Sequence, residues 1–182
     1  MTHPVRSFLS RLFGTAPAKR ADAAPAGARR SAGPGRPPVP ADTAQALATR
    51  EVVPPAKTGL RISYAPSRDG QPDAGEVIWT WVPYDENDGR GKDRPVLVIG
   101  RQSADRVYAV RLTSKPHEAD RDFLSIGTGS WDSQGRPSWV DVEQVYSVHT
   151  GGMRREASAL DLERFMRVAD ALHRRYGWAV GT

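Results

Sequence analysis

Apolar and polar residues alternate with a period of two through much of the second half of the chain. In GEVIWTWVPY, residues 75–84, the side chains of Val77, Trp79 and Trp81 fall on one face of an extended segment, and the other face is also largely apolar. A strand with two apolar faces is typical of a small closed barrel, so we expect Trp79 and Trp81 in the core.

Further segments have the length and residue types of β-strands, and polar or glycine-containing turns separate them. They are RPVLVIGR (94–101), RVYAVRLTSK (106–115), DFLSIGTG (122–129) and SWVDVEQVYSV (138–148). Five short strands at this spacing favour a compact antiparallel sheet or barrel.

The pattern changes to a helical period near the C-terminus. Apolar residues recur on one face from Leu160 to Leu172, which predicts a helix that packs against the sheet. We expect Ser158 to be its N-cap and Gly177 to occupy the position after its last turn. Trp178 should then fold back onto the domain.

The first part of the chain lacks residues that could build a core. Alanine, proline, glycine and arginine dominate residues 14–57, and such a composition predicts disorder. We therefore divide the chain into a disordered basic tail, residues 1–57, and a folded domain, residues 58–182. RSFLSRLF at 6–13 is either a transient turn or a short docking helix. Removal of residues 1–55 should leave the melting temperature almost unchanged.

Composition and charge exclude several function classes. The chain has no cysteine, so disulfides, thiolate zinc sites and cysteine nucleophiles are excluded. Residues 1–50 carry eight basic and two acidic side chains, which leaves 18 basic and 19 acidic in the rest, a net charge of about −1. Nucleic-acid binding by the domain would therefore depend on local charge. No apolar stretch suits a signal peptide or a membrane span, and we expect a cytoplasmic protein.

Four of these segments, in this order, resemble the MazF/PemK family of toxins over about residues 74–178. They are GEVIWTWV, KDRPVLVIG, VYAVRLTSK and WVDVEQVYSV, and a closing helix follows them. The resemblance implies a mainly β fold, a small SH3-like antiparallel barrel of the CcdB/PemK type with a C-terminal helix.

The resemblance also implies a function. Members of the family are homodimeric endoribonucleases that cleave single-stranded RNA without metal or other cofactor, and an antitoxin protein binds them. The ribose 2′-OH attacks the adjacent phosphate, which gives a cyclic phosphate and a free 5′-OH. Carried over to this chain, the catalytic arginine is Arg94 and the hydroxyl residue is Thr113.

The residues themselves suit this chemistry. The guanidinium of Arg94 would stabilise charge on the phosphate oxygens, unless it pairs with Asp93 or Asp85. The hydroxyl of Thr113 would orient the 2′-OH. Further candidates for the catalytic site are Ser114, His117, Glu86 and Asp88, and those for RNA binding are Lys115, Arg111 and Trp131. Histidine and carboxylate suit acid–base work, and an exposed tryptophan suits base stacking. No histidine pair has metal-ligand spacing, so we expect no metal site.

Two other functions are compatible with the same fold. A non-catalytic relative would use the domain to bind nucleic acid or protein, with the tail as a tether. A topoisomerase-directed toxin of the CcdB type would lack the Arg94 and Thr113 pair.

Overall fold

The computed structural model describes residues 41–67, 69–84 and 90–181 of the 182-residue chain. The tail up to residue 40, with the segment 6–13 that was expected to form a transient turn or a short docking helix, lies outside the described residues. So do the two loop carboxylates Glu86 and Asp88.

β-strands are the main regular structure of the described chain. The strands are β1 (Arg50–Val52), β2 (Arg61–Ser63), β3 (Glu76–Pro83), β4 (Gly91–Arg101), β5 (Arg106–Thr113), β6 (Phe123–Gly127), β7 (Ser138–His149), β8 (Met153–Ala159) and β9 (Ala179–Gly181). The helices are α1 (Ala41–Leu47) and α2 (Leu162–Tyr176), and a 3₁₀ helix covers Thr150–Gly152. The predicted fold class, mainly β with a C-terminal helix, is confirmed.

Seven strands form one sheet. Its order is β1–β7–β5–β4–β3–β8, with β6 also paired to β7, and all of these pairs are antiparallel. The strands at the two ends of this path, β1 and β8, are not paired with each other in the described part of the chain. The predicted barrel is therefore a strongly bent sheet that does not close. A separate parallel pair joins β2 to β9.

The alternating pattern divides the apolar residues between two cores. In β4, Leu97 and Ile99 belong to the core that α2 covers, whereas Val96 and Val98 belong to the core inside the bend of the sheet. All four side chains are fully buried. The two apolar faces of the strands thus have separate packing partners, as the sequence pattern indicated.

The two β3 tryptophans are more exposed than predicted. Trp79 is only partly buried and Trp81 is 43% exposed. The ring of Trp81 lies over Gly91, where a Cβ atom would approach it to 2.4 Å. Val77, on the same face of β3, belongs to the core that α2 covers, whereas Trp79 and Trp81 lie beyond the edge of that core. The alternation of apolar residues therefore extends further along β3 than the burial does.

The start of the folded part also differs from the predicted boundary at residue 58. Helix α1 and strand β1 lie inside the segment predicted to be disordered, and β1 pairs with β7 from Arg50 opposite Ser147 to Val52 opposite Val145. A three-residue strand has too little pattern to be recognised, and its hydrogen-bond partners lie almost 100 residues away.

Helix α2 begins later than predicted. Asp161 is its N-cap, and its carboxylate accepts a hydrogen bond from the Arg164 amide at 2.9 Å. Ser158 instead belongs to β8, because the residues before the helix pair with β3. The predicted end is confirmed. Gly177 has a φ of 75° in the left-handed region, and Trp178 is fully buried.

Candidate active site

A cleft opens where β4 and β5 separate. Their pairing begins with Val96 opposite Arg111. Arg94 and Thr113 lie two residues beyond this pair on their own strands, so an extension of the antiparallel register places them opposite each other. Both line the cleft, which has a volume of about 270 Å³. The two residues that the resemblance pairs in function are therefore neighbours in the fold.

The cleft has three walls, formed by β3 with β4, by the end of β5, and by the segment from β6 to β7. Its lining residues are Trp79, Lys92, Asp93, Arg94, Pro95, Leu112, Thr113, Ser114, Lys115, Trp131, Asp132, Arg136 and Ser138. Four are basic and two are acidic, so the cleft is locally positive although the domain sequence is nearly neutral. Such a lining favours an anionic ligand.

Arg94 is held with one donor unused. Its position on β4 is fixed by pairing with Thr80 of β3. The side chain is partly buried, and its Nε is buried without a hydrogen-bond partner among the described residues. The pairing with Asp93 that was left open is not found, because Asp93 forms its ion pair with Arg154 at 2.6 Å. Asp85 lies outside the described residues.

A second buried donor lines the same cleft. The indole Nε1 of Trp79 is also buried and has no hydrogen-bond partner within the described ranges. Buried donors are normally satisfied. The wall of the cleft therefore contains two buried donors, on Trp79 and Arg94, that have no protein acceptor among the described residues.

Thr113 ends β5 and shapes the turn that follows. Its Oγ1 accepts a hydrogen bond from the backbone N–H of Lys115 at 3.1 Å. The hydroxyl hydrogen is still available to a ligand. Ser114 is partly buried and Lys115 is exposed, and both line the cleft beside Thr113.

Two other predicted residues, His117 and Arg111, do not line the cleft. His117 stacks on Phe123, with ring centroids 3.6 Å apart, and its Nδ1 lies 3.6 Å from Asp120. It is not among the residues that line the cleft. The guanidinium of Arg111 is bound to the buried carboxylate of Asp141 at 2.7 Å, so it supports the fold rather than facing RNA.

Trp131 lines the cleft but does not suit its predicted role. It is only 3% exposed, and its Nε1 donates to Ser138 Oγ at 3.1 Å. A base needs an open ring face for stacking, so the prediction of stacking on Trp131 is wrong. Its polar neighbours in sequence suggested exposure, but the ring packs inward and fixes the loop.

Two further residues of the cleft lining, Asp132 and Arg136, were not predicted from the sequence. Asp132 and Arg136 form an ion pair at 2.9 Å, four residues apart in the turn before β7. Burial alone would raise the pKa of Asp132, but hydrogen bonds from the Gln134 amide and the Arg136 side chain outweigh it and hold the pKa below the usual aspartate value. The four-residue spacing of Asp132 and Arg136 was the only hint of this pair in the sequence. Charged residues in a polar turn are usually just solvated, so the hint was weak.

The described residues form neither a metal-binding cluster nor a membrane-spanning helix. They contain no group of three histidine, aspartate or glutamate side chains arranged to hold a metal ion. Neither of the helices that the structure describes has the length and apolar character needed to cross a membrane.

Comparisons with known proteins match the second part of the chain. The sequence model for the PemK-like, MazF-like toxin of type II toxin–antitoxin systems matches residues 73–175, more than half of the chain. No curated protein matches the sequence significantly.

Solved structures of similar fold cover a comparable share. A mycobacterial endoribonuclease in complex with its cognate antitoxin is 16% identical, with a TM-score of 0.46, over 59% of this chain and 96% of that chain. The MazE–MazF complex from Deinococcus radiodurans is 17% identical, with a TM-score of 0.45, over 58% and 96%. The Mycobacterium tuberculosis toxin MazF-mt6 is 16% identical, with a TM-score of 0.43, over 57% and 97%. Likenesses at these TM-scores support no conclusion about activity.

Proposed function

Because the chain belongs to the family of PemK-like, MazF-like toxins of type II toxin–antitoxin systems, we propose that it is a metal-independent endoribonuclease that cleaves single-stranded RNA in the cleft between β4 and β5. The observation that carries this proposal is the placement of Arg94 and Thr113 in one positive cleft. That arrangement supplies a charged donor and a hydroxyl to the same phosphate.

The proposed reaction is an internal transfer. The ribose 2′-oxygen bonds to the adjacent phosphorus, and the bond from phosphorus to the 5′-oxygen breaks. Solvent water accepts the proton of the 2′-OH and supplies one to the leaving 5′-oxygen, and the products are a 2′,3′-cyclic phosphate and a 5′-OH end. Arg94 stabilises the charge that develops on the non-bridging oxygens. Thr113 orients the nucleophile through a hydrogen bond, since an alcohol is too weak a base to do more.

The test uses the full chain and single-stranded RNA in the presence of a metal chelator. We expect cleavage that leaves 5′-OH and cyclic phosphate ends. Arg94→Ala should reduce the rate by about 10²-fold or more, and Thr113→Ala by about tenfold, the worth of one or two hydrogen bonds. Arg174→Ala, an exposed arginine of α2 outside the cleft, is the matched control. Cleavage that needs a metal, or that persists in both cleft variants, would refute the proposal.

A second function has one observation in its favour. Both carboxylates among the described cleft residues are ion-paired, Asp93 with Arg154 and Asp132 with Arg136, and His117 lies elsewhere, so neither is an evident free base. This favours a non-catalytic module that binds RNA. RNA binding without any cleavage by the full chain would support it.

The partners follow from the same family. We propose that an antitoxin protein binds this chain, that the chain forms a homodimer, and that it acts in the cytoplasm. Family membership supports these proposals. Co-expression with the product of a short neighbouring gene, followed by measurement of the mass of the complex, would test the first two together.

A further inference from the structure

The loop between β6 and β7, residues 128–137, is a rigid wall of the cleft. Trp131 anchors it through the buried hydrogen bond to Ser138, and its ring packs against Gly129, where a Cβ atom would come within 2.1 Å. The hydroxyls of Ser130 and Ser158 are 2.8 Å apart and tie the loop to β8. A loop held by buried side-chain contacts of this kind is ordered before its ligand binds, as in many recognition surfaces.

Asp132 organises the turn inside this loop. Its Oδ1 accepts from the Gln134 N–H at 2.8 Å, and its backbone oxygen accepts from the Gly135 N–H at 2.9 Å. Its Oδ2 accepts from Nε of Arg136 at 2.9 Å. The pKa of Asp132 is lowered, so the carboxylate is ionised at neutral pH and holds the arginine there.

The rest of the Arg136 guanidinium is open to the cleft. The side chain is 53% exposed, compared with 10% for Asp132. The two terminal nitrogens of Arg136 have no partner in the part of the chain that the structure describes. An arginine fixed at Nε therefore presents a planar pair of donors at a defined position.

This geometry suits one base better than the others. Guanine offers two acceptors, O6 and N7, on the edge that a planar arginine fork can reach, whereas adenine offers an acceptor beside an amino donor. Unpaired RNA bases expose this edge. We propose that Arg136, positioned by Asp132, selects a guanine base next to the cleaved bond. The proposal rests on the proposed function, because the cleft must bind single-stranded RNA.

A phosphate contact is the competing role for Arg136. Lys92, Arg94 and Lys115 already supply cations for phosphates along the other walls. The hydrogen bond from Nε of Arg136 to Asp132 also fixes the orientation of the guanidinium, and attraction to a phosphate charge does not require a fixed orientation. The two roles differ in their consequence. A lost base contact relaxes sequence preference, whereas a lost phosphate contact weakens all sequences alike.

The experiment measures binding, so that its result does not depend on cleavage. The full chain is titrated with 2′-O-methyl decamers of adenine and uracil that carry one central guanine, inosine, 7-deazaguanine or adenine. These probes lack the 2′-OH nucleophile. We expect guanine and inosine, which keep O6 and N7, to bind about tenfold more tightly than 7-deazaguanine and adenine.

Variants then assign the preference. Arg136→Ala and Asp132→Asn should bind the four probes nearly equally, whereas Arg174→Ala should discriminate like the original chain. Equal binding of all four probes by the original chain, or discrimination that survives Arg136→Ala, would overturn the proposal. If RNA is not cleaved, the nuclease function is refuted, but the guanine preference is still decided by the binding measurements.

Discussion

Thr49 and Thr80 share a buried hydrogen bond, with their hydroxyl oxygens 2.6 Å apart. Thr80 also donates to the carbonyl of Gly152, and its backbone pairs with Arg94. The segment that contains α1 and β1 therefore contacts β3 at Thr80, and Thr80 is the residue that pairs with Arg94, the proposed catalytic arginine. The N-terminal part of the described chain supports the site although it lies outside the family match.

Removal of this segment should destabilise the domain. A chain that starts at residue 53 loses the β1–β7 pairing, the Thr49 hydroxyl contact and the carbonyls of Ala46 and Ala48 that bind Arg106. At about 1 kcal/mol for each lost hydrogen bond, we expect a fall of several kcal/mol in the free energy of unfolding, relative to a chain that starts at residue 41. Urea unfolding measures it, and Thr49→Val should show about 1 kcal/mol of the loss. Equal stability of the two truncated chains would restore the predicted boundary at residue 58.

The sequence was informative wherever a segment carried a period of its own. Strands β3 and β5 were predicted from alternation, β4 from an apolar run, β6 and β7 from their length and residue types, and α2 from its apolar face. The short strands β1, β2 and β9 have three residues each, and their formation depends on partners elsewhere in the chain. Strand β8 was missed because its alternation is weak and its second, third and fourth residues are charged.

The site was only partly predictable. Arg94 and Thr113 were identified through the resemblance, and the register of β4 and β5 brings them together. The exposures of Trp81 and Trp131 were the reverse of those predicted, since neighbouring polarity does not show which way a ring turns. Asp132 and Arg136 lie in a turn, where only the folded chain shows that the charges face a cleft.

Replacement of Arg94 should separate activity from stability. Because its Nε is buried without a partner among the described residues, the folded state carries a cost of about 1–3 kcal/mol for that donor. Arg94→Met keeps the length of the side chain and removes the donor, so we expect unchanged or slightly higher stability together with loss of cleavage. Urea unfolding and RNA cleavage are measured on the same preparation. A stability loss above about 2 kcal/mol would show that Arg94 has a structural role.

The Glu76–Arg155 pair should stabilise the junction of β3 and β8. Arg155 donates to both carboxylate oxygens, with Nη2–Oε distances of 2.7 and 2.8 Å, and only 10% of the Glu76 side chain is exposed. Glu76→Gln would leave a largely buried guanidinium with weaker acceptors, and we expect a loss of about 2–3 kcal/mol in urea unfolding.

Two comparisons test whether burial explains the large stability loss expected when the Glu76–Arg155 pair is broken. The pair of Arg101 and Asp73, 3.7 Å apart, is longer and its arginine is 45% exposed. It should contribute less than about 1 kcal/mol when Arg101 is changed to alanine. The double variant Glu76→Leu with Arg155→Met should be more stable than the sum of the single losses predicts. Strictly additive losses would contradict a coupled pair.

The contribution of Asp132 to stability should disappear in acid. Its pKa in the folded chain lies below the usual value, because the Gln134 amide and the Arg136 guanidinium outweigh the opposing effect of burial. A lowered folded pKa means that the ionised form favours folding. Its contribution is complete above the unfolded pKa of about 4 and is lost as the pH falls through the folded pKa. The stability difference between the original chain and Asp132→Asn should therefore be constant from about pH 5.5 to 8 and shrink below about pH 4. Urea midpoints across this range measure it. When Arg136 is also changed to alanine, the pH-dependent part of the stability difference caused by Asp132→Asn should be smaller. A stability difference that grows towards acid pH would contradict the assigned ion pair.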